Sequence, residues 1–421
     1  MKKLNPLSWL LPVFALIVLS TGCMKDNITK TYQIMTPVYA DKAEVFANIK
    51  SGPAQTMTKA GKIFIRGNYL FINELDKGVH IYDNANPTNP RAVAFIRIPG
   101  NIEVAVSGHY LYADMYTDMV TIDIADPLQA KLVDTSFAVF PERAYENGFA
   151  PDNSKIIVDW IIKDTTITID GSTAGIYPGG CPNCSYYAVP AAQAAQDKAN
   201  YVPGIAGSMA RFVIVNKYLY AVNNASLLVY DINNEANPVR KSQQFLRWPI
   251  ETIYPFRNNL FIGSTSGMFI FNIDNPVEPE EVSSFSHASA CDPVVSDGDY
   301  AFVTLRSGGA CAGNSNQLDV VDVSTLVHPE LIKIYPMTGP NGLGKDGNLL
   351  FICDGTDGVK VYDAENVYDL KMINRIRDID AYDVIPWANR LLVSASEGIM
   401  QYDYSDPLNI QLLSTIRTSG K

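Results

Sequence analysis

The chain has 421 residues, of which 47% are hydrophobic and only 18% charged, with a formal net charge of −11. That length can bury a large core, and the acidic balance makes the chain a poor candidate for nucleic acid, which rewards basic patches. Its 23 Tyr and 17 Phe, with many Val and Ile in short runs, favour an all-β architecture.

The N-terminus opens with Lys2 and Lys3, then the mostly apolar run SWLLPVFALIVL, then LSTGCMKDN at residues 19–27. The apolar run is shorter than the ~20 residues a helix needs to span a bilayer and fits a secretory signal. Leu19-Ser20-Thr21-Gly22-Cys23 resembles the lipobox of bacterial lipoproteins. That resemblance implies cleavage before Cys23, removal of residues 1–22 and acylation of the cysteine. Losing the segment with its two lysines takes the net charge from −11 to −13. Each buried methylene contributes ~0.8 kcal/mol, so two or more acyl chains make the membrane a stable partner. Lys25-Asp26 resembles the surface-export tag of lipoproteins in one Gram-negative phylum. It implies display outward from the outer membrane, with retention on the periplasmic side as the alternative. Residues 23–40 read as a polar, lipidated tether, and 41–421 as the folded domain.

Internal repetition is the strongest signal. YLFINELDKGVHIYDNANPTNPRAVAFI (69–96) and LLFICDGTDGVKVYDAENVYDLKMINRI (349–376) match without a gap. Each holds a β run, a turn ending in Gly, a second run closing on an acid, a polar turn and a third run. The closing position recurs as Asp83, Asp123, Asp231, Asn272, Asp322, Asp363 and Asp403, at spacings of 40, 108, 41, 50, 41 and 40. An extra run precedes each unit, as in IEVAVSGHYLYAD (102–114) and VVSDGDYAFVT (294–304). A unit is therefore four antiparallel strands, a to d in chain order.

A lone four-stranded sheet exposes both faces and its edges, whereas radial packing of several buries the faces. The expected fold is a β-propeller. Seven blades are visible at about 61–100, 101–140, 206–249, 250–290, 291–340, 341–380 and 381–421, with six or eight as alternative counts. The gap of 108 holds one large loop insertion, about 141–205. Within it SKIIVDWIIKDTTITID (154–170) has strand character but not the four-run pattern. VTIDIADPLQAKLVDTSF (120–137), LLVYDINNEANPVRKSQQF (227–245) and LDVVDVSTLVHPELIKIY (318–335) resemble the LVIVD repeat. That repeat is known mainly from bacterial secreted and surface propellers without an assigned role. The resemblance covers 61–140 and 206–421 and implies the fold, not an activity.

In such a fold the d-to-a connections and b-to-c turns share one face, and the other turns share the opposite one. The insertion follows a strand d, and SGGACAGNSN (307–316) lengthens a b-to-c turn, so both extend the same face. Insertions of this kind commonly build a binding face. Five of the six cysteines remain once Cys23 is set aside, and an oxidising compartment favours disulfides. Cys291 and Cys311 both approach the elaborated face, and joining them closes a loop of about twenty residues, ~3 kcal/mol in the chain-entropy model. Cys181 and Cys184 in GGCPNCSYY (179–187) read as a disulfide pinning the insertion. They lack the further ligands of a zinc site and the βαβ setting of a redox pair. Cys353 in LLFICDG reads as a small buried side chain.

No cofactor or metal motif stands up. DGTDG (354–358) aligns with the other b-to-c turns and lacks the length and bidentate Glu of an EF-hand loop. GSTSG (263–267) has Thr265 where a nucleophile elbow needs Ser, and it lies in a hairpin. His80, His109, His287 and His328 fall in different repeats without metal spacing and are assigned no catalytic role.

Counting back eight residues from the first apolar position of strand b aligns Lys62, Glu103, Arg211, Asn341 and Asp383, with Glu251 and Asp292 one place earlier. These positions fall where strand a begins, at the mouth of the central channel on the elaborated face. Arg306, Asn316 and Gln317 of the long fifth-blade loop adjoin them. The expectation is a polar pocket gripping an envelope protein or a polar extracellular ligand. One reading is a non-catalytic binding or assembly scaffold. The alternative is an extracellular hydrolase or lyase with carboxylates at the mouth as acid and base.

Overall fold

In every repeat strand c stops at an Asp or Asn whose side chain caps the following turn. A computed structural model describes residues 27–141, 154–170, 189–190, 209–247, 249–286, 293–307 and 315–419. In it the Oδ1 atoms of Asp83, Asp123, Asp231, Asn272, Asp322, Asp363 and Asp403 accept from the amide two residues on, at 2.8–3.0 Å. Such an Asx turn offers the backbone an alternative to continuing the ladder. The amide bonds hold the carboxyls of Asp83, Asp231 and Asp403 below their ordinary range. For Asp322 the Ser324 hydroxyl leads and its amide follows.

The described residues form seven antiparallel sheets whose strands run in chain order a-b-c-d. The first is built from Ala60–Arg66, Tyr69–Glu74, Gly78–Asp83 and Arg91–Arg97. The others occupy 104–136, 212–245, 250–286, 294–336, 343–376 and 381–417. Strands a of consecutive sheets neighbour one another, as at Ala60–Arg66 with Val104–Ser107, so a is the inner strand and d the outer. Each c–d ladder carries a bulge near the end of c, between Ile81 and Tyr82 in the first sheet and between Gln401 and Tyr402 in the last. A bulge bends and twists the strand and so blunts the outer edge.

Strand b reads as an unbroken apolar run because both of its faces are buried. Phe71 joins the core between the first and second sheets, while its neighbour Leu70 joins the core between the seventh and first. Further apolar seams join the second sheet to the third, and so on to the seventh. The seam of Ile63, Leu70 and Ile72 with Leu392, Ile399 and Ile416 closes the ring.

Two compact units are distinguished. The larger, residues 37–160 and 196–421, contains the seven sheets. There the short helix Lys42–Ala47 buries Val45 in the first seam, and Ser51–Gly52 pairs with the outer strand of the first sheet. In the other unit, residues 1–36 and 161–195, the described residues belong to a three-stranded sheet of Lys155–Asp170, Asn27–Asp41 and Val189–Pro190. Thr31 and Thr166 hydroxyls lie 3.2 Å apart across it.

The tether expected over 23–40 is thus corrected: from Asn27 onward it is strand. Its ladder partner lies more than a hundred residues away, so no local period announces the pairing. Residues 154–170 supply that partner and not an additional four-stranded unit.

Candidate functional site

The starts of strand a bring the expected polar residues together as two runs. In the first, buried Lys62 and Glu103 form an ion pair joining the first two sheets. Lys62 Nζ also donates to Met209 O at 3.1 Å. Glu103 Oε2 accepts from the Arg211 amide at 3.1 Å, and Arg211 Nε donates to Glu251 O at 3.2 Å. Four sheets are linked in sequence. Asp114 braces the second sheet from within, its Oδ1 accepting from Ile102 N, Glu103 N and Asn101 Nδ2 at 2.7–2.8 Å.

The second run spans the fifth to seventh sheets. Arg306 donates to Asn341 Oδ1. The Asn341 carbonyl accepts from Thr304 Oγ1 at 2.6 Å, and its Nδ2 donates to Ala381 O at 2.9 Å. Asn316 Oδ1 accepts from the amide and hydroxyl of Ser307 at 2.8 and 3.0 Å, tying the ends of the long turn. Gln317 Nε2 donates to Asp319 Oδ1 at 2.6 Å.

One alignment is corrected. Asp346 stands opposite Leu349 as Arg66 stands opposite Tyr69, so Gly342, not Asn341, holds the place of Lys62. Leu349 is apolar where most repeats have Tyr, which shifted the count by one. Glycine suits that place, because a Cβ at Gly342 would lie 1.8 Å from Oδ1 of the buried Asp383. Asp292, Cys23 and the cysteines at 181, 184, 291 and 311 lie outside the described residues. Cys353 is a free, fully buried thiol, and burial pushes its pKa up, with Asp383 and Asp354 adding to the effect.

Two clusters escaped the sequence reading. Glu74, at the end of a strand b, is buried with His80, whose Nε2 lies 2.6 Å from Glu74 Oε2. Glu74 Oε1 also accepts from Thr58 N at 3.0 Å, the Thr58 hydroxyl and Lys77 Nζ at 2.9 Å. Burial alone would raise this carboxyl, but the bonds from His80, Thr58 and Lys77 outweigh it and hold the pKa at about 2. Asp354 repeats the plan: it accepts from Thr338 N at 3.0 Å and Gly339 N at 2.7 Å and pairs with Lys360. Glu74, His80 and Thr58 correspond to Asp354, Lys360 and Thr338 at one constant spacing. The gap-free match of 69–96 to 349–376 therefore contained the signal, as an acid six residues before a base. Each cluster clamps the segment leading into a strand a onto a b-to-c turn.

The family model for the LVIVD repeat matches residues 58–94, 102–135, 206–243 and 288–337. The chain carries LVIVD repeats on a β-propeller fold. Its sheets at 250–286, 343–376 and 381–417 keep the same strand order outside the matched stretches. No curated protein sequence matches the propeller. Its fold is similar to that of Sqt1 from Saccharomyces cerevisiae, with a TM-score of 0.51 and 10% identity over 91% of this chain and 90% of that one. BamB from Moraxella catarrhalis gives a TM-score of 0.51 at 8% identity, over 87% of this chain and 98% of its own. A functionally unknown protein from Desulfotomaculum acetoxidans gives 0.53 at 10% identity, over 84% and 98%. At such identities the likeness is one of fold alone.

Proposed function

We propose that this propeller is a lipid-anchored, non-catalytic binding scaffold at the outer membrane of a Gram-negative bacterium, facing outward. It engages an envelope protein or polar extracellular ligand through the face bearing the b-to-c turns. The observation that carries the reading is the commitment of the inner polar residues to one another. A hydrolase or lyase needs a carboxyl that exchanges a proton with substrate. Glu103 is instead buried between the Lys62 ammonium and the Arg211 amide, where it joins sheets. Ser307 and Asn316, the joined ends of the long fifth-blade turn, stand at the b-to-c end of their sheet, the end that Glu74 and Asp354 clamp in theirs, which supports use of that face. The anchor rests on Leu19–Cys23.

Cys23→Ser should abolish membrane fractionation or leave an unprocessed precursor, and unchanged fractionation and migration would remove the anchor. For the face, a photo-crosslinker at Asn316 should capture a partner on intact cells and one at Asn233, in a c-to-d turn, should not. Capture from Asn233 alone would overturn the assignment.

A further inference from the structure

Three neighbouring sheets present apolar side chains to solvent at equivalent places in the repeat. Val327, Tyr368 and Leu408 occupy the c-to-d turns of the fifth, sixth and seventh sheets, each five residues past the strand-ending Asp. Leu331, Met372 and Leu412 follow four residues later, on strand d. All six are between 38% and 70% exposed. The third and fourth sheets put Arg240 and Glu281 at the strand-d place, so the apolar choice is not a demand of the repeat.

The three sites are continuous in space. Strand d of one sheet lies on the c-to-d turn of the next: Tyr335 OH donates to Val367 O at 2.8 Å, and Asn374 Nδ2 to Pro407 O at 2.9 Å. Tyr368 therefore borders the fifth sheet's strand d, and Leu408 the sixth's. Six large side chains about half exposed present on the order of 500 Å² of apolar surface, at the upper end of what monomers leave open. A standard interface takes ~800 Å² from each partner.

We infer that this outer wall of the fifth to seventh sheets binds a second copy of the chain. Charge selects the occupant. Exposed Glu330, Asp369 and Asp406 border the patch together with exposed Lys333 and Lys371. An anionic bilayer rewards basic residues alone around an apolar patch. A two-fold axis instead sets a patch against itself, so acids of one copy can meet lysines of the other. The inference stands apart from the reading of the b-to-c face.

Sedimentation of the purified full chain in mild detergent tests it. The wild type should sediment as a dimer at micromolar concentration. Tyr368→Glu with Leu408→Glu should weaken association by about a hundredfold or more, because each charge is buried unpaired in the interface. Arg240→Glu, on the third sheet, should leave it unchanged. Both altered side chains are exposed in the monomer, so the melting temperature should hold. A monomeric wild type or a dimer insensitive to the double substitution overturns the inference. So does a patch-dependent particle containing lipid or another protein in place of the second copy.

Discussion

Replacing Glu74 by Gln keeps the shape of the side chain and removes the charge on which Thr58, Lys77 and His80 converge. The Glu74 carboxyl lies at about 2 in the folded chain against an ordinary 4.5. At about 1.4 kcal/mol per pKa unit, that gap corresponds to about 3 kcal/mol of folding free energy at neutral pH. Because the folded pKa is the lower one, the unfolded chain takes up its proton first. The contribution is whole above 4.5 and drains away as pH falls toward 2. Urea unfolding at neutral pH should therefore show Glu74→Gln less stable by up to about 3 kcal/mol. Repeating the titration through acid should show the wild type losing this increment while the variant does not, so the curves converge. A variant as stable as wild type at neutral pH, or parallel to it throughout the acid range, refutes the clamp.

Gly358 has φ of +77°, and a Cβ there would lie 2.0 Å from Ile376 O, so Gly358→Ala should cost on the order of 1–3 kcal/mol; an unshifted urea midpoint would show that the turn relaxes. Lys62→Met strands Glu103 beside apolar atoms and should cost about 3–5 kcal/mol. Adding Glu103→Met should recover part of that loss, and a double variant as weak as the sum of the single ones would deny the coupling. Asp354→Ala leaves the Thr338 and Gly339 amides without their acceptor and Lys360 with the more distant Asp357, at 3.4 Å, as its carboxylate partner. It should cost about 2–3 kcal/mol, measured in the same way, and a loss below about 0.5 kcal/mol would make the clamp incidental.

What the sequence disclosed, and what it withheld, follows the range of each interaction. The Asp or Asn closing strand c was legible because its work is local, an Asx turn two residues long repeated seven times. Strand b was legible because burial on both faces writes an apolar run into consecutive residues. The start of strand a was legible as a polar position, but not as a paired one, since the partner of Lys62 is Glu103 in the next repeat. A polar position facing a ligand and one facing a neighbouring sheet look alike in one dimension. Asn341 was misplaced for a local reason, the apolar Leu349 standing where Tyr is usual. Strand 27–41 was hidden by distance, its partner lying beyond two whole repeats.

Ring closure depends most on long-range contacts. The last sheet, 381–417, and the first, 60–97, each complete their four-strand order from consecutive chain, so no main-chain ladder joins them among the described residues. Beyond one amide bond, from Ser419 N to Met57 O at 2.8 Å, side chains must do it. Asn84 and Gln401 exchange amide bonds at 2.9 and 2.8 Å across the seam, and Ser414 Oγ donates to Pro87 O at 2.6 Å. Gln401 is fully buried, which would be costly without such partners; paired reciprocally, it satisfies both of its groups. Directional bonds also fix register in a way that the apolar contacts of Leu70 with Leu392 and Ile399 do not, since apolar packing tolerates sliding where an amide pair does not. The polar pairs at the starts of strand a act on the same principle at the inner edge. Apolar seams supply the bulk of the cohesion, and the buried polar pairs decide which sheet meets which, and at what height.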